Sequence, residues 1–183
     1  MKIIKSTILE ILVVVLTWIL FYRISLWLFD YFEYNSHVCW VFLPAGIRMI
    51  AVFIFGWTGV LGLLIGSVIT NEEELSGYVI YLSVISAMAP MVAKLACKFW
   101  FNIPDTLLGL TGKQLLAFAV VGALTNSLLS NLYFYIMAET NSLKGFMPMF
   151  VGDVLGTLII FYLMDKILQL ISLQHKKITS PNL

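Results

Sequence analysis

The chain predicts an all-α integral membrane bundle of about six transmembrane helices, and three observations carry that expectation. Of its 183 residues 61% are hydrophobic and only 11% charged, and the mean hydropathy is +0.97. A soluble domain of this length could not cover so much apolar surface, so the fold requires a bilayer. The apolar residues gather into six runs, and the lysines collect at one set of run ends.

The first run, Ile8 to Phe29, is long enough to cross a hydrocarbon core of about 30 Å at roughly 1.5 Å per residue. Lys2 and Lys5 precede it as they would a signal peptide, but the run exceeds a signal core and no Ala-x-Ala cleavage site follows. It reads as a retained first helix. The second and third runs, Val38 to Phe55 and Trp57 to Thr70, are short and joined by the glycine-rich turn "GWTG". They form a hairpin that need not span fully. The polar tract "TNEEELSG" follows, its Glu72, Glu73 and Glu74 reading as a solvated outer loop.

The fourth run, Tyr78 to about Phe101, contains Pro90, which removes a backbone donor and predicts a kink. The fifth runs from Leu115 to Met137 and the sixth from Met147 to Ile171, opened by Pro148. Residues 1–172 make one transmembrane domain and residues 173–183 a short cytoplasmic tail.

Orientation follows from charge. Six crossings with the N-terminus inside put Lys2, Lys5, Lys94, Lys98, Lys113, Lys166, Lys176 and Lys177 on one side, against Lys144 on the other. Asp30, Glu33, Glu72 to Glu74 and Glu139 fall on the lysine-poor side, so both termini are expected in the cytoplasm of a bacterial inner membrane. A net charge of +1 without a basic patch gives nucleic acid no footing. Cys39 and Cys97 lie in different runs and read as packing residues; no metal-ligand spacing, phosphate loop or nucleophile elbow is present. No cofactor, metal or catalytic residue is expected, and His37 and His175 fall in a loop and a tail.

Function has to be sought in the charges that hydropathy cannot explain. Arg48 stands in mid-run in "FLPAGIRMIAVFIF", and Asp153 lies in the sixth run. Each costs about 2.5–3.5 kcal/mol at the centre of a membrane helix unless it finds a partner or a wet cavity. Asp153 is the natural partner of Arg48. The two form either a structural ion pair or the lining of a cavity, where Arg48 could hold a small anionic or carboxylate-bearing ligand. Arg23 and Glu10 are expected to snorkel to the outer and inner headgroups. The stretch "GALTNSLLSN" sets a polar stripe along the fifth run, in which Asn126 and Asn131 need partners in protein or water. "GLLIG" and "GDVLG" place Gly62 with Gly66 and Gly152 with Gly156 four apart, where helix backbones can approach closely.

Two family resemblances follow. The stretch "VFLPAGIRMIAVFIFGWTGVLGLLIGSVITN" resembles the early helices of the first MASE-type membrane-associated sensor family, with Phe42, Leu43, Pro44, Ala45, Gly46 and Ile47 at its Trp-Pro-Pro-(Ser/Ala)-Gly-Ile start. The tryptophan and first proline of that start are missing here. "FVGDVLGTLIIFYLMDKIL" is similar to the family's closing Gly-Asp-x-x-Gly helix through Gly152, Asp153 and Gly156. The resemblance implies a sensory module of a kind that feeds a cytoplasmic kinase or cyclic-di-GMP domain. Because this chain ends about a dozen residues after its last run, such a sensor is expected to act through a protein partner or a second copy. Six short helices with a glycine-rich hairpin also resemble the substrate-capturing subunits of energy-coupling-factor transporters, although the first helix lacks their Ala-x-x-x-Ala motif. A structural subunit of a membrane complex is the third expectation. A ligand-binding module should keep its fold when Arg48 becomes Gln, whereas a scaffold should lose stability or assembly.

Overall fold

A helix of only 12 residues stands at the centre of the bundle. In the computed structural model, which describes residues 2–29, 31, 33–35, 38–71, 77–104, 109–137 and 142–179, the order is α1 (Lys2–Phe29), β1 (Glu33–Asn35), β2 (Val38–Cys39), α2 (Pro44–Phe55), α3 (Trp57–Thr70), α4 (Gly77–Phe101), α5 (Gly112–Ile136) and α6 (Phe146–Thr179). The acidic run Glu72 to Glu74, together with Asp30, His37 and Glu139, lies outside the described residues. The fold is helical, with one small addition: β1 and β2 form an antiparallel ladder pairing Glu33 with Cys39 and Asn35 with Val38.

The short helix α2 packs against all five other helices. It also contributes to each apolar core: Ala51 and Val52 join Val14, Trp18 and Leu63, Met49 and Phe53 join Cys97 and Phe118, and Ile47 joins Ile160. Nine of its residues from Pro44 to Phe53 are buried, Arg48 among them. Wrapping of this kind keeps the N-terminal part of α2 inside protein, although Ile54 near its end is exposed, and explains how an arginine sits in an apolar run.

Local chemistry sets its ends. Pro44 occupies the first turn, where a missing N–H costs nothing. Gly56 ends α2 at φ 58°, ψ −123°, a conformation that side chains with a Cβ rarely adopt. Its N–H reaches the Val52 carbonyl at 3.0 Å, and α3 begins at the next residue. Two side chains hold this turn. Thr58 Oγ1 donates to Glu10 Oε2 at 2.8 Å, and the Lys94 ammonium donates to the Val52 and Phe53 carbonyls at 3.4 and 3.3 Å. Glu10, expected to reach the headgroups, accepts this bond from the start of α3.

Four helices are long and apolar enough to cross a membrane, within α1, α4, α5 and α6; α2 and α3 are shorter apolar helices. Leu9, Leu12, Leu16 and Leu20 are each more than half exposed along one face of α1, the surface that lipid would cover. The opposite face meets α3. Val14 and Trp18 lie against Gly62 and Gly66, close enough that a Cβ on Gly62 would come within 2.7 Å of Val14 Cβ. Helix α4 runs on through Pro90. Helix α5 is opened by a reciprocal cap between Thr111 and Gln114, three residues before the expected start.

The polar stretch read as a tail after residue 172 is helical as far as Thr179. Its residues are adequate helix formers.

Candidate functional site

Polar side chains from α2, α5 and α6 meet beneath the N-terminal half of α2. Arg48 points from α2 toward α6, and its Nη2 donates to Asp153 Oδ1 at 2.7 Å. The other carboxylate oxygen, Asp153 Oδ2, accepts from Asn126 Nδ2 on α5 at 2.7 Å. Arg48 Nη1 donates to Ser86 Oγ on α4 at 2.8 Å, and the Arg48 guanidinium carbon lies 5.5 Å from the centre of the Phe42 ring. Four separate elements are thus tied through one ion pair. Arg48 is 4% exposed, Asp153 3% and Asn126 2%. At such burial an ion pair persists only if its remaining hydrogen-bonding groups are met, as Ser86 and Asn126 do here.

Backbone geometry prepares these positions. Pro90 has no N–H to give to the Ser86 carbonyl one turn earlier, so α4 is locally weakened next to the residue that receives Arg48. On α6, Thr157 Oγ1 donates to the Asp153 carbonyl at 2.7 Å, which turns the hydroxyl back onto its own helix.

A cavity of about 190 Å³ opens beside the junction, lined by Arg48, Asp153, Asn126, Phe42, Trp18 and Ser130 among others. Trp18 Nε1 donates to Thr70 Oγ1 at 3.0 Å, closing one wall between α1 and α3. Its ring meets Phe42 edge-on with centroids 6.2 Å apart, and Tyr22 meets the same ring at 6.5 Å. The hydroxyls of Ser67 and Ser83 bond to each other at 3.1 Å on the side of α3 and α4. Replacing Trp18 with Phe is expected to cost about 0.5–1.5 kcal/mol from the lost hydrogen bond, and more than Trp27→Phe on the exposed face. Thermal midpoints of the two purified variants in detergent measure the difference.

Of the eight residues singled out in sequence, Arg48, Asp153 and Asn126 come together at the cavity. Asn131 does not line it. Its Nδ2 donates to the Ser127 carbonyl at 2.8 Å and sits 3.7 Å from Met149 Sδ, so it belongs to the α5–α6 packing. Gly62 and Gly66 receive α1. Gly152 and Gly156 face an extended strand of chain rather than another helix: a Cβ on Gly152 would strike the Cys39 carbonyl, and one on Gly156 the Phe42 carbonyl. The Phe42 N–H also donates to the Gly152 carbonyl at 3.1 Å, and the Leu43 N–H to Ser25 Oγ at 3.3 Å. The connection from β2 to α2 is therefore pinned between α1 and α6.

Sequence reasoning missed Phe42, Ser86 and Trp18 as wall residues, whereas Ser130 stands in the polar stripe of the fifth run and does line the cavity. Only Ser86 carries a local signal, standing four residues before Pro90. Arg23 lies exposed on α1, away from the junction. Cys97 is buried in a core with Phe118, and the Cys39 thiol lies 3.2 Å from the Val41 carbonyl; both are free thiols.

No curated protein and no solved structure matches the chain. The family model for MASE1 matches residues 11–182, nearly its whole length, so the chain belongs to the MASE1 family of bacterial membrane-associated sensor domains.

Proposed function

We propose that this chain is a sensory module of the bacterial inner membrane that reads the state of its central cavity and passes it through α6 to a partner protein. One observation carries the proposal. Asp153, on α6, divides its two carboxylate oxygens between Arg48 on α2 and Asn126 on α5 at the cavity wall. Any occupant that shifts either bond acts directly on α6.

The second half of α6 is suited to carry such a shift. Between Tyr162 and Ser172 every side chain except Met164 is exposed, so this half is not held by the other helices. A helix fixed at one end by a buried carboxylate and unheld at the other converts a small displacement into a movement of its free end. A sensory role needs no chemistry of its own, consistent with a site whose charged groups are paired to each other.

The topology we propose has both termini in the cytoplasm. At about 1.5 Å per residue, the 12 residues of α2 and 14 of α3 rise about 18 and 21 Å, short of a core of about 30 Å. The pair returns to the side it leaves, so the termini face the same way whether it counts as two crossings or as a re-entrant hairpin. Lys94, Lys98 and Lys113 then lie at the inner face, as positive-inside placement requires.

The test uses spin labels at Leu12→Cys and Leu168→Cys in a Cys39→Ser, Cys97→Ala background. Weakening the junction with Arg48→Gln is expected to change the distance distribution between α1 and the free half of α6. An unchanged distribution in a folded variant would sink the relay and favour a static scaffold. Native mass spectrometry of the same proteins shows whether a small molecule or a protein partner leaves with Arg48.

A further inference from the structure

Resting on that sensory reading, we infer that the cavity binds a small uncharged molecule with an aromatic ring and one hydroxyl or N–H donor, the donor landing on Asn126 Oδ1 while the Arg48–Asp153 pair stays closed.

Charge is the first argument. The guanidinium and carboxylate meet at 2.7 Å and cancel. An anion, which Arg48 alone would suggest, either shares one guanidinium with the Asp153 carboxylate, or draws Arg48 away and leaves a carboxylate that is 3% exposed with Asn126 as its remaining side-chain donor. A cation has to approach the guanidinium. Either way a charge is left unpaired out of water, which an uncharged occupant avoids.

The second argument is an acceptor without a donor. Asn126 Nδ2 is committed to Asp153, which fixes the amide so that Oδ1 is the open end. That oxygen is buried, in a residue that lines the cavity, and has no hydrogen-bond partner among the described residues. Buried acceptors are normally satisfied, so this one calls for a donor from the occupant.

Shape completes the case. The rings of Trp18, Tyr22, Phe42 and Phe134 share the lining, suited to edge-on or offset contact with another ring. The volume, about 190 Å³, modestly exceeds the roughly 150 Å³ of an apolar cavity known to hold benzene. One substituted benzene ring fits, and a long acyl chain does not.

Four probes of nearly one shape separate the terms: benzyl alcohol, toluene, benzoate and benzylammonium. Each is titrated against the full-length chain in lipid nanodiscs, with saturation-transfer NMR reporting bound probe. Ser130→Leu and Ser67→Leu, filling the cavity from α5 and from α3, distinguish cavity binding from partition into lipid, and two walls guard against one variant failing to fold. Benzyl alcohol is expected to bind saturably to the wild type and to neither filled variant. Both charged probes and toluene should bind about tenfold more weakly, as the loss of one satisfied buried interaction predicts. Benzoate or benzylammonium binding best would overturn the uncharged class while leaving a ligand cavity in place. Toluene matching benzyl alcohol would remove the role given to Asn126. If no probe distinguishes wild type from the filled variants, water alone occupies the cavity, and the ligand class falls. Should the α1–α6 label distance still respond to Arg48→Gln, the sensory relay survives that result; if it does not, both fall together.

Discussion

Asp153→Leu is expected to lower stability by about 3–5 kcal/mol, because it leaves Arg48 as an uncompensated buried charge. Arg48 retains the Ser86 hydroxyl at 2.8 Å and the face of Phe42, neither of which carries a countercharge. A guanidinium cannot neutralise itself by losing a proton, so the full penalty of desolvation stays with the variant. Arg48→Met should be milder, at about 1–3 kcal/mol, since a stranded carboxyl can take up a proton and keep its bond from Asn126. The double variant Arg48→Met, Asp153→Leu replaces the pair by apolar side chains of similar reach, and such replacements are often neutral. The expected order of thermal midpoints in detergent is wild type near the double variant, then Arg48→Met, then Asp153→Leu. A double variant as unstable as Asp153→Leu would mean that Asn126 and Ser86, once stranded, dominate the junction. If instead the double variant folds well but no longer moves α6, the pair is kept for signalling rather than for stability.

This junction was partly legible in sequence, for a plain physical reason. An arginine or aspartate inside an apolar run is costly enough that each must find the other, so Arg48 and Asp153 could be matched although they stand 105 positions apart. The polar stripe of α5 could be located by the same cost, but not resolved. Asn126 and Asn131 look alike in sequence, and only the rotation of α5 sends one to the carboxylate and the other to Met149. Apolar wall residues such as Trp18 and Phe42 carry no such mark, because a buried aromatic costs nothing to explain in a chain this hydrophobic. Helix existence was legible throughout, whereas the centrality of α2 was not. Hydropathy reports that a run is apolar, and is silent on whether lipid or protein surrounds it. Glu10 shows the same limit: its position near a helix end suggests headgroups and says nothing of the threonine that the hairpin brings to it.

The glycine pairs show the remaining ambiguity, and they lead to the second large effect. Spacing four apart states that something approaches closely without stating what. At Gly62 and Gly66 it is chiefly the side chains of Val14 and Trp18, down to their Cβ atoms, with the Ile11 carbonyl 3.1 Å from a Cβ added on Gly62, so room comes only from a shift of α1 against α3. At Gly156 it is the Phe42 carbonyl, with the Leu43 nitrogen 3.0 Å from an added Cβ. Backbone cannot change rotamer, and this stretch is already held on both sides, by the Gly152 carbonyl at 3.1 Å and Ser25 Oγ at 3.3 Å. Gly156→Ala is therefore expected to cost about 1–3 kcal/mol, the range that overpacking of a close-packed interior produces. The neighbouring Leu158→Ala, on an exposed face of α6, should change stability far less. Gly156→Ala should also disturb the cavity, since displacing the Phe42 backbone carries its ring away from Arg48, Trp18 and Tyr22. The two effects are read separately, as the thermal midpoint and as the affinity for benzyl alcohol in nanodiscs. Loss of stability with unchanged affinity would show that the stretch before α2 yields without moving its ring. Loss of both would establish that close packing on α6 and the aromatic wall of the cavity form one mechanical unit, so that a movement of α6 reshapes the site that it reports.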